Sequence, residues 1–182
     1  MTKKKGKKKV HIYKPIFITD ICLAIISIAI DRISKYYAYN MLKDHPSVSL
    51  FAGIELKFLP NEGAAFGLLV GETSFFVLVG VIMLSAIVYF LIRLPRNKRF
   101  IPFSGLLTLI ASGTLGNMID RILYGYVVDF VYLSRIHFPI FNLADVCITI
   151  STVVLLIMLI FVYKEDDLNF LNFNEKHLRE VR

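Results

Sequence analysis

Four stretches of this chain are each about as long as a membrane span and mostly apolar. That blocked pattern restricts the fold more than any other feature. The blocks run from about Ile16 to Tyr37, Phe75 to Ile92, Phe100 to Ile119 and Ala144 to Tyr163. At about 1.5 Å of rise per residue, roughly 20 helical residues cross a hydrocarbon core. Apolar residues make up 56% of the 182, and mean hydropathy is +0.64. Soluble domains hold roughly 45–50%. The expected fold is therefore an all-α membrane protein with four transmembrane helices.

Charge placement orients it. The formal charge is +7, with Lys3, Lys4, Lys5, Lys7, Lys8, Lys9 and Lys14 ahead of the first block. Arg93, Arg96, Lys98 and Arg99 lie between the second and third. Positive residues stay cytoplasmic, so both termini are expected inside. The loops at about 38–74 and 120–142 are then extracytoplasmic. This divides the chain into a basic N-terminus (1–15), a four-span membrane domain (16–163) and a cytoplasmic tail (164–182). A lysine run beside a span reads as a topology signal attracted to anionic lipid headgroups, and no nucleic-acid partner is expected. No small-x-small cleavage site follows the first block, where Asp31-Arg32-Ile33-Ser34-Lys35 stands instead, so that block is read as an uncleaved span.

The loops carry strand patterns. Ile54-Glu55-Leu56-Lys57-Phe58 alternates apolar and charged residues, and Tyr126-Val127-Val128 and Phe130-Val131-Tyr132 are β-branched and aromatic. A small extracytoplasmic β-sheet on the membrane surface follows. Gly105, Ser112 and Gly113 in the third block are expected to admit close helix packing. The tail reads either as a weak interfacial helix or as disordered. Cys22 and Cys147 lie in different blocks without ligand spacing, which suits packing and implies no disulfide.

Carboxylates beside apolar stretches are functional candidates, because immersing a charge in a bilayer is costly. Here they are Asp20, Asp31, Asp120, Asp129 and Asp145. All except Asp20 fall at the outer ends of spans or in the outer loops, together with Asn61, Asn117, Arg121 and Asn142. Bland readings exist for each: Asp31 and Lys35, four apart, as an interfacial ion pair; Asp120 and Arg121 as a snorkelling pair; Asn142 as a helix cap. Their convergence on one face from four chain segments points further. Two nearby carboxylates cannot readily both ionise, so they share a proton, one serving as base and the other as acid. That chemistry suits amide hydrolysis. By position alone Asp120 rivals Asp129 for the pair, although adjacent Arg121 favours an ionised Asp120.

The motifs Asp31-Arg32-Ile33-Ser34-Lys35, Asn61-Glu62-Gly63-Ala64-Ala65-Phe66, Gly116-Asn117-Met118-Ile119-Asp120-Arg121, Val127-Val128-Asp129-Phe130 and Phe141-Asn142-Leu143-Ala144-Asp145 occur in this order. Over about residues 16–163 the set resembles the bacterial lipoprotein signal peptidases (signal peptidase II). The resemblance implies an aspartic intramembrane endopeptidase of the bacterial cell membrane. It would remove signal peptides from prolipoproteins on the N-terminal side of a diacylglyceryl-modified cysteine, and globomycin-type peptides would inhibit it. It implies Asp129 and Asp145 as the catalytic pair, with Asp31, Lys35, Asn61, Asn117, Asp120, Arg121 and Asn142 as supporting residues. The family often has Gln where Arg32 stands. No cofactor is expected, and no metal, since His11, His45, His137 and His177 are scattered without a His-Glu-x-x-His motif. The rival classes are a proton-relay transporter, expected to place carboxylates near the bilayer midplane, and a structural assembly protein, for which the Asp and Asn motifs would be superfluous.

Overall fold

The structure is a computed structural model that describes residues 14–63, 71–95 and 97–171. The lysine run at 3–9, the segment Ala64–Phe66 of the second motif and the tail beyond 171 lie outside these residues. In chain order the elements are α1 (Lys14–Leu42), β1 (Val48–Phe51), β2 (Ile54–Asn61), α2 (Thr73–Arg93), α3 (Ile101–Tyr124), β3 (Val127–Leu133) and α4 (Leu143–Phe161). Short 3-10 turns cover Lys98–Phe100, Ser134–Ile136 and Glu165–Leu171.

Local chemistry sets the helix ends. α2 stops at Leu94, whose extended backbone (ψ 132°) precedes Pro95. α3 begins with Pro102 in its first turn, where a missing N–H costs nothing. It ends at Gly125, whose φ of 81° lets its N–H return to the Arg121 carbonyl. Nothing between residues 120 and 124 breaks a helix, so α3 runs five residues past the expected end. Asp120 and Arg121 are therefore helical and not loop residues. α1 likewise continues beyond Tyr37 to Leu42.

Among the described residues, three helices are long and apolar enough to cross a membrane: Thr73–Arg93, the stretch Lys98–Tyr124 containing α3, and Leu143–Phe161. α1 has the length, at 29 residues, but Asp20, Asp31, Arg32 and Lys35 interrupt its apolar run. Ile25 on α1, Ile92 on α2 and Ile160 on α4 are exposed, as expected of surfaces that face lipid.

α3 is the hub and packs against α1, α2 and α4. Its small residues have separate uses. A Cβ on Gly113 would lie 2.5 Å from the Ala144 carbonyl oxygen, so α4 crosses there in near contact with the α3 backbone. Gly105 is under no such demand, since its nearest neighbour is Leu23 at 3.8 Å, and Ser112 donates to the Thr108 carbonyl of its own helix.

The sheet is antiparallel with order β1-β2-β3; β1 was not foreseen from the sequence. Asn61 pairs with Val127 and Leu59 with Asp129, and the N–H groups of Phe130 and Val131 both reach the Phe141 carbonyl. This ties the strand to the entry of α4. Ala38, Leu42, Val128 and Phe130 form an apolar cluster between sheet and helices. At the opposite end Phe100 stacks on Tyr163, with centroids 5.3 Å apart, and Phe170 of the tail packs edge-on against Phe100 and Phe103. This part of the tail is thus an ordered turn, whereas the sequence allowed an interfacial helix or disorder. Polar side chains fill the layer between the two clusters.

Candidate active site

Nine residues were singled out by sequence, and the structure gathers them at the sheet end of the bundle. Asp31 and Lys35 come from α1, Asn61 from β2, and Asn117, Asp120 and Arg121 from α3. Asp129 comes from β3, and Asn142 and Asp145 open α4. Asp20 lies 11 residues before Asp31 on α1, where its carboxylate accepts from Ser104 at 3.2 Å, apart from this group.

Asp129 is 1% exposed. Its Oδ2 accepts from Asn61 Nδ2 at 2.8 Å and its Oδ1 from Asn142 Nδ2 at 2.6 Å. Burial, reinforced by the charge of Asp145, raises the Asp129 pKa to about 7, although the two amide donors pull the other way. Asp145 Oδ1 accepts from Asn117 Nδ2 at 2.7 Å. Its Oδ2 accepts the Asn142 N–H at 3.1 Å while Asn142 Oδ1 accepts the Asp145 N–H at 3.0 Å, a reciprocal capping box at the start of α4. Asn142 is thus both the helix cap and the side chain that touches both carboxylate residues.

A buried ionic layer lies behind these groups. Lys35 Nζ reaches Asp31 Oδ2 at 3.1 Å, Asp120 Oδ2 at 2.8 Å and Asn117 Oδ1 at 2.8 Å. Asn117 Oδ1 also accepts from Asn142 at 3.2 Å. With its oxygen turned toward Lys35 and Asn142, the Asn117 amide must present its NH2 to Asp145. The Asp31–Lys35 pair exists but is buried, not interfacial.

Asp120 is 0% exposed, and its ion pairs are with Lys35 and with Arg32 at 2.7 Å. Asp120 and Arg121 do not form a snorkelling pair, because the Asp120 carboxylate is taken up by Lys35 and Arg32 of α1. Arg121 instead donates to the Gly63 carbonyl at 3.2 Å and lies over the Phe76 ring, 4.7 Å from its centroid.

Sequence reasoning missed four contributors. Arg32 stood only as a departure from a motif, yet it contacts both Asp31 and Asp120. Gly116 stood only as the first residue of a motif, but a Cβ there would lie 2.6 Å from Asp31 Oδ2. The backbone N–H groups of Val128 and Ala144, donating to Asp120 and Asp31, leave no mark in side-chain identity. The four-residue spacing from Arg32 to Tyr36 marks a helix face but does not reveal a partner on α3. Among the described residues no group of three or more His, Cys, Asp and Glu side chains is arranged to hold a metal ion.

The profile of the family described as Signal peptidase (SPase) II matches residues 23–161, a range containing every member of this constellation. The chain belongs to the signal peptidase II family. It is 34% identical over 151 residues to the lipoprotein signal peptidase of Clostridium tetani, covering 81% of this chain and 94% of that protein. It is 36% identical over 171 residues to the lipoprotein signal peptidase of Acinetobacter baylyi, covering 91% and 94%. The structure is also similar to a bacterial membrane enzyme solved by the in meso method at 2.3 Å, with a TM-score of 0.71, 32% identity, and coverage of 81% of this chain and 92% of that one. This signal peptidase II is therefore a membrane-embedded protease, mostly helical with a small three-stranded sheet.

Proposed function

We propose that this signal peptidase II removes signal peptides from diacylglyceryl-modified prolipoproteins as an aspartic endopeptidase, with Asp129 and Asp145 as its catalytic pair. The cut falls on the N-terminal side of the lipidated cysteine. The observation that carries the reading is two carboxylate residues from different elements, bridged by Asn142, of which Asp129 is buried with a pKa of about 7.

Near neutral pH such a pair holds one proton between its two carboxylates. The ionised member takes a proton from the attacking water as its oxygen bonds to the scissile carbonyl carbon. The protonated member first supports the carbonyl oxygen, and a proton then passes to the departing amine as the C–N bond breaks. Asn61, Asn117 and Asn142 fix the direction of the carboxylate oxygens, and Asp31, Lys35 and Asp120 hold the elements that carry the pair. Arg121, bonded to the Gly63 carbonyl, holds the backbone at Gly63 just after β2. Asp120 is unsuited to the dyad because two cations and the Val128 N–H occupy it away from the surface.

In this reading α1 is a fourth span whose charged outer part is neutralised inside the bundle. Both termini face the cytoplasm and the sheet lies on the outer surface of the cell membrane. The substrate helix enters sideways from the bilayer, and globomycin-type peptides compete for its place. The test is cleavage of a lipidated precursor by purified Asp129→Asn and Asp145→Asn. Each should fold and lose turnover; near-wild-type activity in either variant would sink the assignment.

A further inference from the structure

We infer that Arg32 is a positioning residue that sets the spacing of Asp129 and Asp145 by joining the two carboxylates from which their backbones hang. The inference rests on the peptidase reading given above.

Each member of the pair is anchored through the residue just before it. The Ala144 N–H donates to Asp31 Oδ1 at 3.2 Å, which holds the chain immediately ahead of Asp145. The Val128 N–H donates to Asp120 Oδ2 at 3.2 Å, which holds the chain immediately ahead of Asp129. The two anchors belong to different helices, Asp31 to α1 and Asp120 to α3. The distance between the catalytic carboxylates therefore depends on how firmly those anchors are tied to each other.

Arg32 makes that tie with an ion pair to Asp120 and with hydrogen bonds to Asp31 and the Gly116 carbonyl. Its Nη1 lies 2.7 Å from Asp120 Oδ1 and its Nη2 lies 2.9 Å from Asp31 Oδ2. Nη2 also donates to the Gly116 carbonyl at 3.1 Å, so the guanidinium plane is fixed against the α3 backbone as well. Gly116 leaves room for this approach, since a side chain there would collide with Asp31. Lys35 touches both carboxylates too, but as a point charge without a preferred plane, and it also holds Asn117.

Charge balance supports the same role. The layer holds two carboxylates, Asp31 and Asp120, against two cations, Arg32 and Lys35. Without Arg32, two buried carboxylates would face one ammonium, and their repulsion would push α1 and α3 apart at this level. Because the contacts of Arg32 are with Asp31, Asp120 and Gly116 and not with the dyad, its loss should disturb the geometry of proton transfer more than substrate affinity.

The experiment measures kcat and KM for a synthetic diacylglyceryl-cysteine precursor peptide, using the full chain in one detergent. It compares wild type with Arg32→Ala, Arg32→Met and Arg32→Lys, and records a thermal unfolding curve for each. A misplacement near 1 Å costs about 100-fold in rate, so kcat of Arg32→Ala should fall by about that factor with KM little changed. Arg32→Lys restores the charge without the fork and should be intermediate. Added guanidinium should recover part of the Arg32→Ala activity, because the Arg32 side chain is 26% exposed and its site can be reached from outside.

Wild-type kcat in Arg32→Ala overturns the inference. So does a loss that appears in KM as much as in kcat, or one that follows a lowered unfolding temperature across the variants with no recovery by guanidinium. Should Arg32→Ala not fold, Arg32→Met, of similar bulk and without a donor, is judged by the same criteria. A wild-type chain that does not cut the peptide removes the peptidase reading itself, whereas a wild type that cuts beside unaffected variants removes only the role of Arg32.

Discussion

Replacing Asp129 by Asn should abolish cleavage and yet make the protein more stable at alkaline pH. In the folded chain the Asp129 pKa is raised from 3.8 to about 7. Between those values the native state holds a proton that the unfolded chain has released, so stability falls as pH rises through this window. The span is about 3 pH units, and at 1.36 kcal/mol per unit the full cost above pH 7 is about 4 kcal/mol.

An amide has no charge to desolvate, so Asp129→Asn escapes that cost. It has its own penalty, because two amide donors, Asn61 at 2.8 Å and Asn142 at 2.6 Å, converge on a group that now accepts at only one atom. One donor must turn or go unmet, at about 1.5–2 kcal/mol. The variant should therefore match wild type near pH 5 and exceed it by about 2 kcal/mol at pH 8, or roughly 4–8 °C in unfolding temperature for a chain of this size. Thermal unfolding of both proteins in one detergent at the two pH values measures this. A difference that is the same at pH 5 and pH 8, or that shrinks as pH rises, would refute the argument from burial.

Other expectations follow from the same geometry. Wild-type kcat should decline as pH rises past about 7, where the proton is lost from Asp129. Asn61→Ala removes a donor that favours the ionised form, so this limb should move to higher pH; a pH profile showing no movement, or the opposite one, counts against the role of Asn61. Gly113→Ala places a methyl 2.5 Å from the Ala144 carbonyl oxygen and 2.8 Å from Ile148, forcing α3 and α4 apart. A loss of about 1–3 kcal/mol in unfolding measurements is expected, with reduced turnover. Gly105→Ala, facing Leu23 at 3.8 Å, serves as its near-neutral comparison. Cleavage should persist in excess chelator, and complete loss restored by an added metal would point to a metallopeptidase.

The periodicities of the chain and its short motifs carried much of this in advance. The apolar blocks located α2, α3 and α4 because a helix that faces lipid must be apolar around most of its surface. The alternation at Ile54–Phe58 marked β2, whereas β1, four exposed residues with no buried face, had no pattern to read. Asn142 was legible as a cap because capping is local chemistry between residues three apart. The partner of Asp120 was not: the neighbour in sequence, Arg121, points away, and the true partners, Arg32 and Lys35, lie on another helix.

By itself, then, the sequence determined which segments are helical, which polar residues are too costly to be incidental, and the family to which the chain belongs. Only the tertiary structure decided who holds whom. Asn117 and Asn142 hold both the dyad and each other, Asp31 and Asp120 hold the backbones behind it, and Arg32 joins those two. The physical reason is range. Helix propensity and capping act over three or four residues and can be read along the chain. An ion pair between α1 and α3, such as Arg32–Asp120 or Lys35–Asp120, spans more than 80 residues of sequence, and its partner depends on which helix faces pack against each other.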